Sequence, residues 1–201
     1  MMRVLLAEDQ AMVRGALCAL LSREQDIEVV AEVARGDEVV KAALASLPDV
    51  ALLDIEMPGG SGLQAAQALH TALPSCYIVI LTTFGRTGYL RRAMESGAVG
   101  FLLKDAPAAE LAVALRRVMR GERVVDPELA LAALSSGNNP LTSREREVLS
   151  AALFGASIAE IATRLLLSEG TTRNHLSTAM QKLGAQNRME AARLAEQKGW
   201  L

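Results

Sequence analysis

The chain has 201 residues, 51% of them hydrophobic but only 3% aromatic, and a formal net charge of -2 at pH 7. That length suits one large or two small domains with a core of Ala, Leu and Val. No apolar run approaches the roughly 18 residues of a membrane span, so the sequence predicts no membrane insertion and a cytoplasmic protein. Cys18 and Cys76 have no metal-like spacing and fit a reducing compartment. Residues 1–139 hold 13 Lys and Arg against 17 acids, and residues 140–201 hold 8 against 6, which assigns any polyanionic partner to the C-terminal part.

Taken in order, Arg3-Val4-Leu5-Leu6-Ala7 reads as an apolar strand ending in Glu8-Asp9. Met12, Leu17, Leu20 and Leu21 recur at helical spacing to about Ser22, Ile27 to Val33 is a second strand, and Gly36 to Leu47 a second helix. Asp49 to Leu53, opened by Pro48, reads as a strand buried on both faces, as in a parallel sheet, and ends in Asp54 before Pro58 and a run of glycines. A helix over Ser61 to Leu73 stops at Pro74. Ile78 to Leu81 is a strand ending in Thr82-Thr83, followed by a helix from about Gly88 to Ser96. Gly100 to Leu103 ends in Lys104-Asp105, and Pro107 to Arg120 forms the fifth helix, stopped by Gly121.

Five alternations of strand and helix predict a doubly wound parallel sheet. The carboxyl ends of its strands share one edge, so Glu8, Asp9, Asp54, Thr82 and Lys104 should converge there. Three carboxylates within a few ångströms repel unless a hard cation such as Mg²⁺ joins them through oxygen. Lys104 and Thr82 then serve something anionic beside Asp54. This is the inventory for moving a phosphoryl group onto a carboxylate nucleophile.

Residues 122–140 break the rhythm: Asp126-Pro127 starts a short helix through Leu134, and Ser135 to Pro140 reads as a linker. From Leu141 onward only helices are expected. Thr142 with Glu145, Ser157 with Glu160, and Asn187 with Glu190 each place an N-cap three residues before an acid, and Ser168 caps a further helix. Gly155 and Gly184 mark breaks. The second and third of these four helices form a candidate helix-turn-helix. On the third, Thr172, Leu176, Ala179, Met180 and Leu183 face inward, while Arg173, Asn174, Ser177, Thr178 and Gln181 face out. Short polar donors with one Arg suit a major groove, Arg for guanine and Asn for adenine, with Lys182 and Arg188 placed for phosphates.

Glu8-Asp9, Asp54 followed by Met57-Pro58-Gly59, Thr82, and Phe101 three residues before Lys104 together resemble the receiver domain of two-component response regulators. Leu141-Thr142-Ser143-Arg144-Glu145-Arg146-Glu147-Val148-Leu149, Glu160-Ile161-Ala162, Ser168, Thr171, His175 and Lys182-Leu183-Gly184 resemble the LuxR-type DNA-binding domain of the NarL/FixJ group. The resemblance implies a flavodoxin/CheY-like receiver with a five-stranded parallel sheet of order 2-1-3-4-5 over residues 1–121, a linker over 122–140, and a four-helix LuxR-type domain over 141–201. It implies Asp54 as phosphoacceptor, with Thr82 and Lys104 in the reaction and Thr82 with Phe101 as a switch pair. It also implies Mg²⁺ held by Glu8, Asp9, Asp54 and the backbone carbonyl of Glu56. DNA contacts follow from Thr171, Arg173, Asn174, His175, Ser177, Lys182 and Arg188. The implied partners are a sensor histidine kinase, double-stranded promoter DNA, a second copy when phosphorylated, and RNA polymerase, in a bacterial cytoplasm. Asp54 to Gly59 with Leu81-Thr82-Thr83-Phe84 is similar to the DesR-type subgroup, linked to control of membrane-lipid desaturation. Two departures stand out: Ile158-Ala159 where the family has Asn-Lys, and Thr172 where it has Val.

Other classes of function use parts of this inventory. Aspartate-nucleophile hydrolases also join Mg²⁺, Asp, Thr and Lys, but they put the nucleophile on the first strand and a second Asp two residues on, whereas here Asp54-Ile55-Glu56 lies on the third. An adaptor whose helical module binds protein is a further alternative. Glu56 and Phe84, each two residues past a site residue, are placed to govern the hydrolytic water, and His70 is expected in solvent.

Overall fold

The structure is a computed structural model that describes all residues except 84, 86, 106, 128 and 132–138, with the side chains of 87 and 108 also left out. The chain divides into two compact units, the first built from residues 1–85 and 90–131 and the second carrying the C-terminal helices.

In the first unit the strands are β1 (Met2–Ala7), β2 (Ile27–Val33), β3 (Val50–Leu53), β4 (Tyr77–Thr82), β5 (Gly100–Leu103) and β6 (Val124–Val125). They form one parallel sheet of order β2-β1-β3-β4-β5-β6. The expected order 2-1-3-4-5 is present, and among the described residues the sheet has six strands rather than five. The extra strand lies in the stretch read as linker. It was hidden because two residues after a Gly stop carry no periodicity; what defines it is the pairing of Val124 and Val125 with Gly100 and Phe101.

The helices are α1 (Ala11–Leu21), α2 (Val39–Ser46), α3 (Gly62–Ala72), α4 (Thr87–Glu95) and α5 (Ala108–Met119), with a 3-10 turn at Gly36–Glu38 ahead of α2. β3 is buried along its whole length, as an apolar strand in a sheet covered on both faces must be. The pleat sorts its neighbours: Val4, Leu6, Val50, Leu52, Val79 and Leu81 pack with Leu21, Leu111, Leu115 and Val118 of α1 and α5. Leu5, Ala51, Leu53, Ile78, Ile80 and Phe101 are buried on the alternate positions. α3 starts with a capping box in which Ser61 and Gln64 satisfy each other's backbone amides. α1 is the exception to good burial: Met12 is 87% exposed and only Leu21 is buried.

The second unit contains α6 (Ser143–Leu153), α7 (Ile158–Leu165), α8 (Glu169–Leu183) and α9 (Arg188–Gln197). Reciprocal capping boxes open α6 at Thr142 and α7 at Ser157, and Ser168 accepts from the amide of Thr171 at the start of α8. At α9 the cap is not reciprocal: Asn187 accepts from the Glu190 amide, but the Glu190 carboxylate takes the amide of Gln186 instead. Val148, Leu149, Ile161, Leu176, Ala179, Ala191, Ala195 and Trp200 make a separate core. The expected short helix after Asp126 is partly described. Asp126 caps Leu129 with its carboxylate and Ala130 with its carbonyl, while residues 128 and 132–134 of that stretch and the linker residues 135–138 lie outside the described residues.

The turn between α7 and α8 carries an energetic cost. Leu166 sits at φ 55°, ψ 44°, in the left-handed region, and is 93% exposed. A branched side chain there costs about 1–2 kcal/mol, and its exposure returns no burial. Leu166→Asn is therefore expected to raise the stability of this unit by roughly 0.5–1 kcal/mol. Urea unfolding followed by the fluorescence of Trp200, the single Trp and a member of this core, reads the change.

Candidate functional site

Sheet register brings the acidic residues together. Ala7 pairs with Leu53, so Glu8 and Asp54 each follow a paired strand end, and the Asp54 amide donates to the carbonyl of Ala7 at 2.9 Å. Thr82 pairs with Leu103, and the Lys104 amide donates to the Thr82 carbonyl at 2.8 Å, which brings the lysine to the same edge. The Lys104 ammonium lies 2.6 Å from Glu8 Oε2 and 3.1 Å from Asp54 Oδ1. Glu8, Asp54 and Thr82 are buried, while Asp9 is exposed.

The electrostatics follow from that geometry. Burial pushes the Asp54 carboxyl up and the nearby Glu8 adds to it, against the pull of Lys104, leaving it at about 6. Burial alone would lower the Lys104 ammonium, but its bonds to Glu8 and Asp54 outweigh this and hold it above its ordinary value. One ammonium therefore serves two buried carboxylates.

Ligand oxygens of Glu8, Asp9 and Asp54 lie within 4.8 Å of one another. Glu8 Oε2 is buried, and the charge that meets it is the Lys104 ammonium. Three carboxylates that bring hard oxygen donors to one point suit a divalent cation of the Mg²⁺ class. Glu56, in the loop after Asp54, exposes its side chain to solvent. Phe101 is fully buried, its register partner being Ile80. Phe84, placed by sequence near the reacting atoms, lies outside the described residues. His70 is exposed, as expected.

Sequence reasoning missed Arg14. Its guanidinium donates to the carbonyl of Glu8 at 2.6 Å and lies 3.7 Å from Glu32, tying α1 to the turn that carries Asp9. Glu8 lies before the helix that carries Arg14, so no periodicity in the sequence links the two.

The second unit offers the other candidate surface. On α8, Thr172, Leu176 and Ala179 are buried, while Arg173, Asn174, Ser177, Thr178 and Gln181 are exposed in the expected division. Thr171 is exposed, with its hydroxyl 2.8 Å from that of Ser168. His175 and Arg188 are half-buried. Arg173 is held by Glu169 one turn earlier at 2.7 Å.

Lys182, read from the sequence as placed for a phosphate, donates its ammonium to both oxygens of Glu145 at 2.9 and 2.8 Å. Glu145 is only 4% exposed and also closes the Thr142 capping box. Burial pushes its carboxyl up, but the Lys182 ammonium and the Thr142 amide and hydroxyl together hold it below the usual range. The partner sits 37 positions away, so helix periodicity alone could not reveal it.

Comparison with known proteins matches both halves. The response regulator receiver domain model covers residues 4–116, and the model of bacterial regulatory proteins of the luxR family covers residues 139–195. The chain belongs to the LuxR-type response regulators. It is 46% identical to the uncharacterized transcriptional regulatory protein YvfU of Bacillus subtilis, over all of both chains. It is also 46% identical to the transcriptional regulatory protein DesR of the same organism, covering 100% of this chain and 99% of DesR. Among solved structures it is similar to the response regulator RcsB in complex with DNA, with a TM-score of 0.66 and 25% identity over 98% of each chain. This response regulator of the NarL/FixJ type is thus a transcriptional regulator with a receiver and a DNA-binding domain, and its family is not one of metabolic enzymes. Such a pair of domains implies a kinase and DNA as partners. Among the described residues no helix is long and apolar enough to cross a membrane.

Proposed function

We propose that this regulator accepts a phosphoryl group on Asp54 from a sensor histidine kinase in the bacterial cytoplasm and then dimerises on promoter DNA. The observation that carries the reading is the buried Asp54 carboxylate beside Glu8, Asp9 and the Lys104 ammonium. Residues 1–121 act as receiver, 122–140 as linker with β6 at its start, and 141–201 as the DNA-binding domain.

Glu8, Asp9, Asp54 and the Glu56 carbonyl would hold Mg²⁺, whose charge, when bound, offsets the phosphoryl oxygens. Asp54 Oδ attacks the phosphorus of the kinase's phosphohistidine, the P–N bond breaks and the imidazole leaves with the electron pair and takes up a proton (acetate leaves with the bridging oxygen when acetyl phosphate is the donor), so the carboxylate becomes an acyl phosphate. Lys104 gives up one carboxylate partner and keeps the phosphoryl group paired. The new group adds about -1.5 to -2 of charge, to which the Thr82 hydroxyl responds, and Phe101 repacks with it. Later attack of water on phosphorus returns Asp54, with Glu56 beside its path. No other substrate is turned over.

The receiver face we favour for pairing is that of α1 and α5. Met12 is 87% and Val113 53% exposed, and both line a groove of about 840 Å³ with Leu17, Leu20 and Leu111. Two copies meeting there would cover apolar surface worth roughly 1.5–3 kcal/mol for each large side chain. Met12→Glu should leave phosphate uptake intact and keep the phosphorylated chain monomeric in light scattering. A Met12→Glu protein that dimerises like the parent would move the interface elsewhere.

Dimerisation places two copies of α8 on half-sites about one helical turn apart. There Arg173, Asn174 and Ser177 face bases, Thr171, His175 and Arg188 face the backbone, and RNA polymerase is recruited to the complex. Lys182 contributes through Glu145 and the shape of the domain. The test is a gel shift on the upstream region of its own operon, with acetyl phosphate and Mg²⁺ and without. Affinity that rises with phosphodonor supports the reading, and affinity indifferent to it in a protein that takes up phosphate removes the link between the two domains.

A further inference from the structure

The loop after Asp54 is held from a part of the chain that bears no site residue. The Gly36 amide, in the 3-10 turn after β2, donates to the carbonyl of Pro58 at 3.0 Å. Gly36 is buried, and a Cβ there would fall on the Gly60 carbonyl, far inside van der Waals contact. Its glycine identity thus comes from close backbone approach rather than from its own φ. Flanking it, Arg35 and Asp37 form a two-bond fork at 2.9 and 2.7 Å. The α-carbon of Gly59 rests on this fork: a Cβ there would lie 2.5 Å from Asp37 Oδ1 and 2.7 Å from Arg35 Nη2. At its other end the loop is closed by the Gly62 amide on the Ile55 carbonyl at 2.9 Å.

Glu56, whose carbonyl is assigned to the cation, lies between those two anchors, two residues before Pro58. We propose that Gly36, supported by the Arg35–Asp37 fork, is a positioning residue that sets the cation-binding loop and so tunes divalent-cation affinity from the opposite side of that loop. The proposal rests on the assignment of Glu8, Asp9, Asp54 and the Glu56 carbonyl as the cation site.

The physical argument is one of scale. Gly36→Ala must move the Gly60 carbonyl by about 1 Å to restore ordinary contact, and Gly60 is joined through two peptide bonds to Pro58. Misplacement of that size costs about 10²-fold where geometry matters. Glu8, Asp9 and Lys104 belong to other strand ends and stay in place. The loss should therefore appear as a weaker cation site rather than as a missing one.

The experiment uses the full, unphosphorylated chain titrated with MgCl₂, reading the rise in melting temperature as Mg²⁺ binds the folded state. Phosphate uptake from acetyl phosphate is measured across the same Mg²⁺ series. Gly36→Ala is expected to raise the half-saturating Mg²⁺ in both assays by at least about tenfold, with a smaller fall in the uptake rate at saturation. Arg35→Ala/Asp37→Ala, which removes an exposed ion pair and leaves the backbone contact intact, should raise it about two- to fivefold and serves if Gly36→Ala does not fold. A Gly36→Ala protein that melts earlier but keeps the parent's half-saturating Mg²⁺ overturns the proposal, as does an unchanged double variant when Gly36→Ala cannot be obtained. If the parent itself shows no Mg²⁺-dependent stabilisation or uptake, it is the cation-site assignment that fails.

Discussion

Asp54→Asn is expected to do two opposite things: stabilise the cation-free protein and remove its response to phosphodonor. The stabilisation follows from the raised carboxyl. Its folded value of about 6 lies above the ordinary 3.8, so the native state binds the proton more tightly than the unfolded chain. Stability from this group is then fully present below about pH 4 and is lost as pH rises toward 6, and at neutral pH the whole cost is in force. Replacing the carboxylate with a neutral amide recovers about 2–3 kcal/mol, and Glu8 keeps Lys104 paired. In melts between pH 4 and 7 without divalent ions, the parent should lose stability relative to the variant as pH rises. Added Mg²⁺ should narrow the gap, because the parent offers the cation one carboxylate more than the variant does. On the functional side, avidity of a dimer on paired half-sites is worth about 10²-fold or more over a single domain. That gain on adding acetyl phosphate should vanish in the variant while weak basal DNA binding remains. An Asp54→Asn protein that still gains affinity would place the phosphoacceptor elsewhere.

The second large effect belongs to α8. Arg173→Ala should cost about 1–3 kcal/mol of operator binding and relax the base preference at one position in each half-site, and Asn174→Ala should do the same at a neighbouring position. Lys182→Ala should behave differently. It strands the buried Glu145 carboxylate, so the deficit should appear in the unfolding of the C-terminal unit, of the order of 1–2 kcal/mol after allowing for the partly exposed lysine. The slope of affinity against salt should stay near that of the parent. Operator titrations at several salt concentrations, paired with urea unfolding, separate the two. A Lys182→Ala protein that unfolds like the parent but loses salt dependence would return Lys182 to the phosphate-contact set.

The carboxylate and lysine cluster was legible because each member follows an apolar run that can only be a buried strand. Parallel register then carries Glu8, Asp54 and Lys104 to one edge with no further information. The helices of the second unit were legible from their caps, since Thr142, Ser157 and Ser168 accept from the third residue on, as their spacing requires. What escaped was non-local or too short to carry a period. β6 is two residues long and exists only by pairing with β5. The Glu145–Lys182 pair joins α6 to α8. Leu47 and Leu166 end their helices in left-handed conformations without the Gly or Asn that usually announces one. Gly36 looked like an ordinary helix start, and only its contact with Gly60 explains why no side chain is tolerated there.

The central claim, that Asp54 is the phosphoacceptor within a cation site shared with Glu8 and Asp9, is tested most directly by locating the phosphoryl group. The full chain is incubated with acetyl phosphate and Mg²⁺, the acyl phosphate is trapped by borohydride reduction, and the modified residue is identified by peptide mass spectrometry. A single modification on Asp54, absent when the divalent ion is chelated, is the predicted result. Modification of another residue, or equal labelling of Asp54 without a divalent ion, would contradict it.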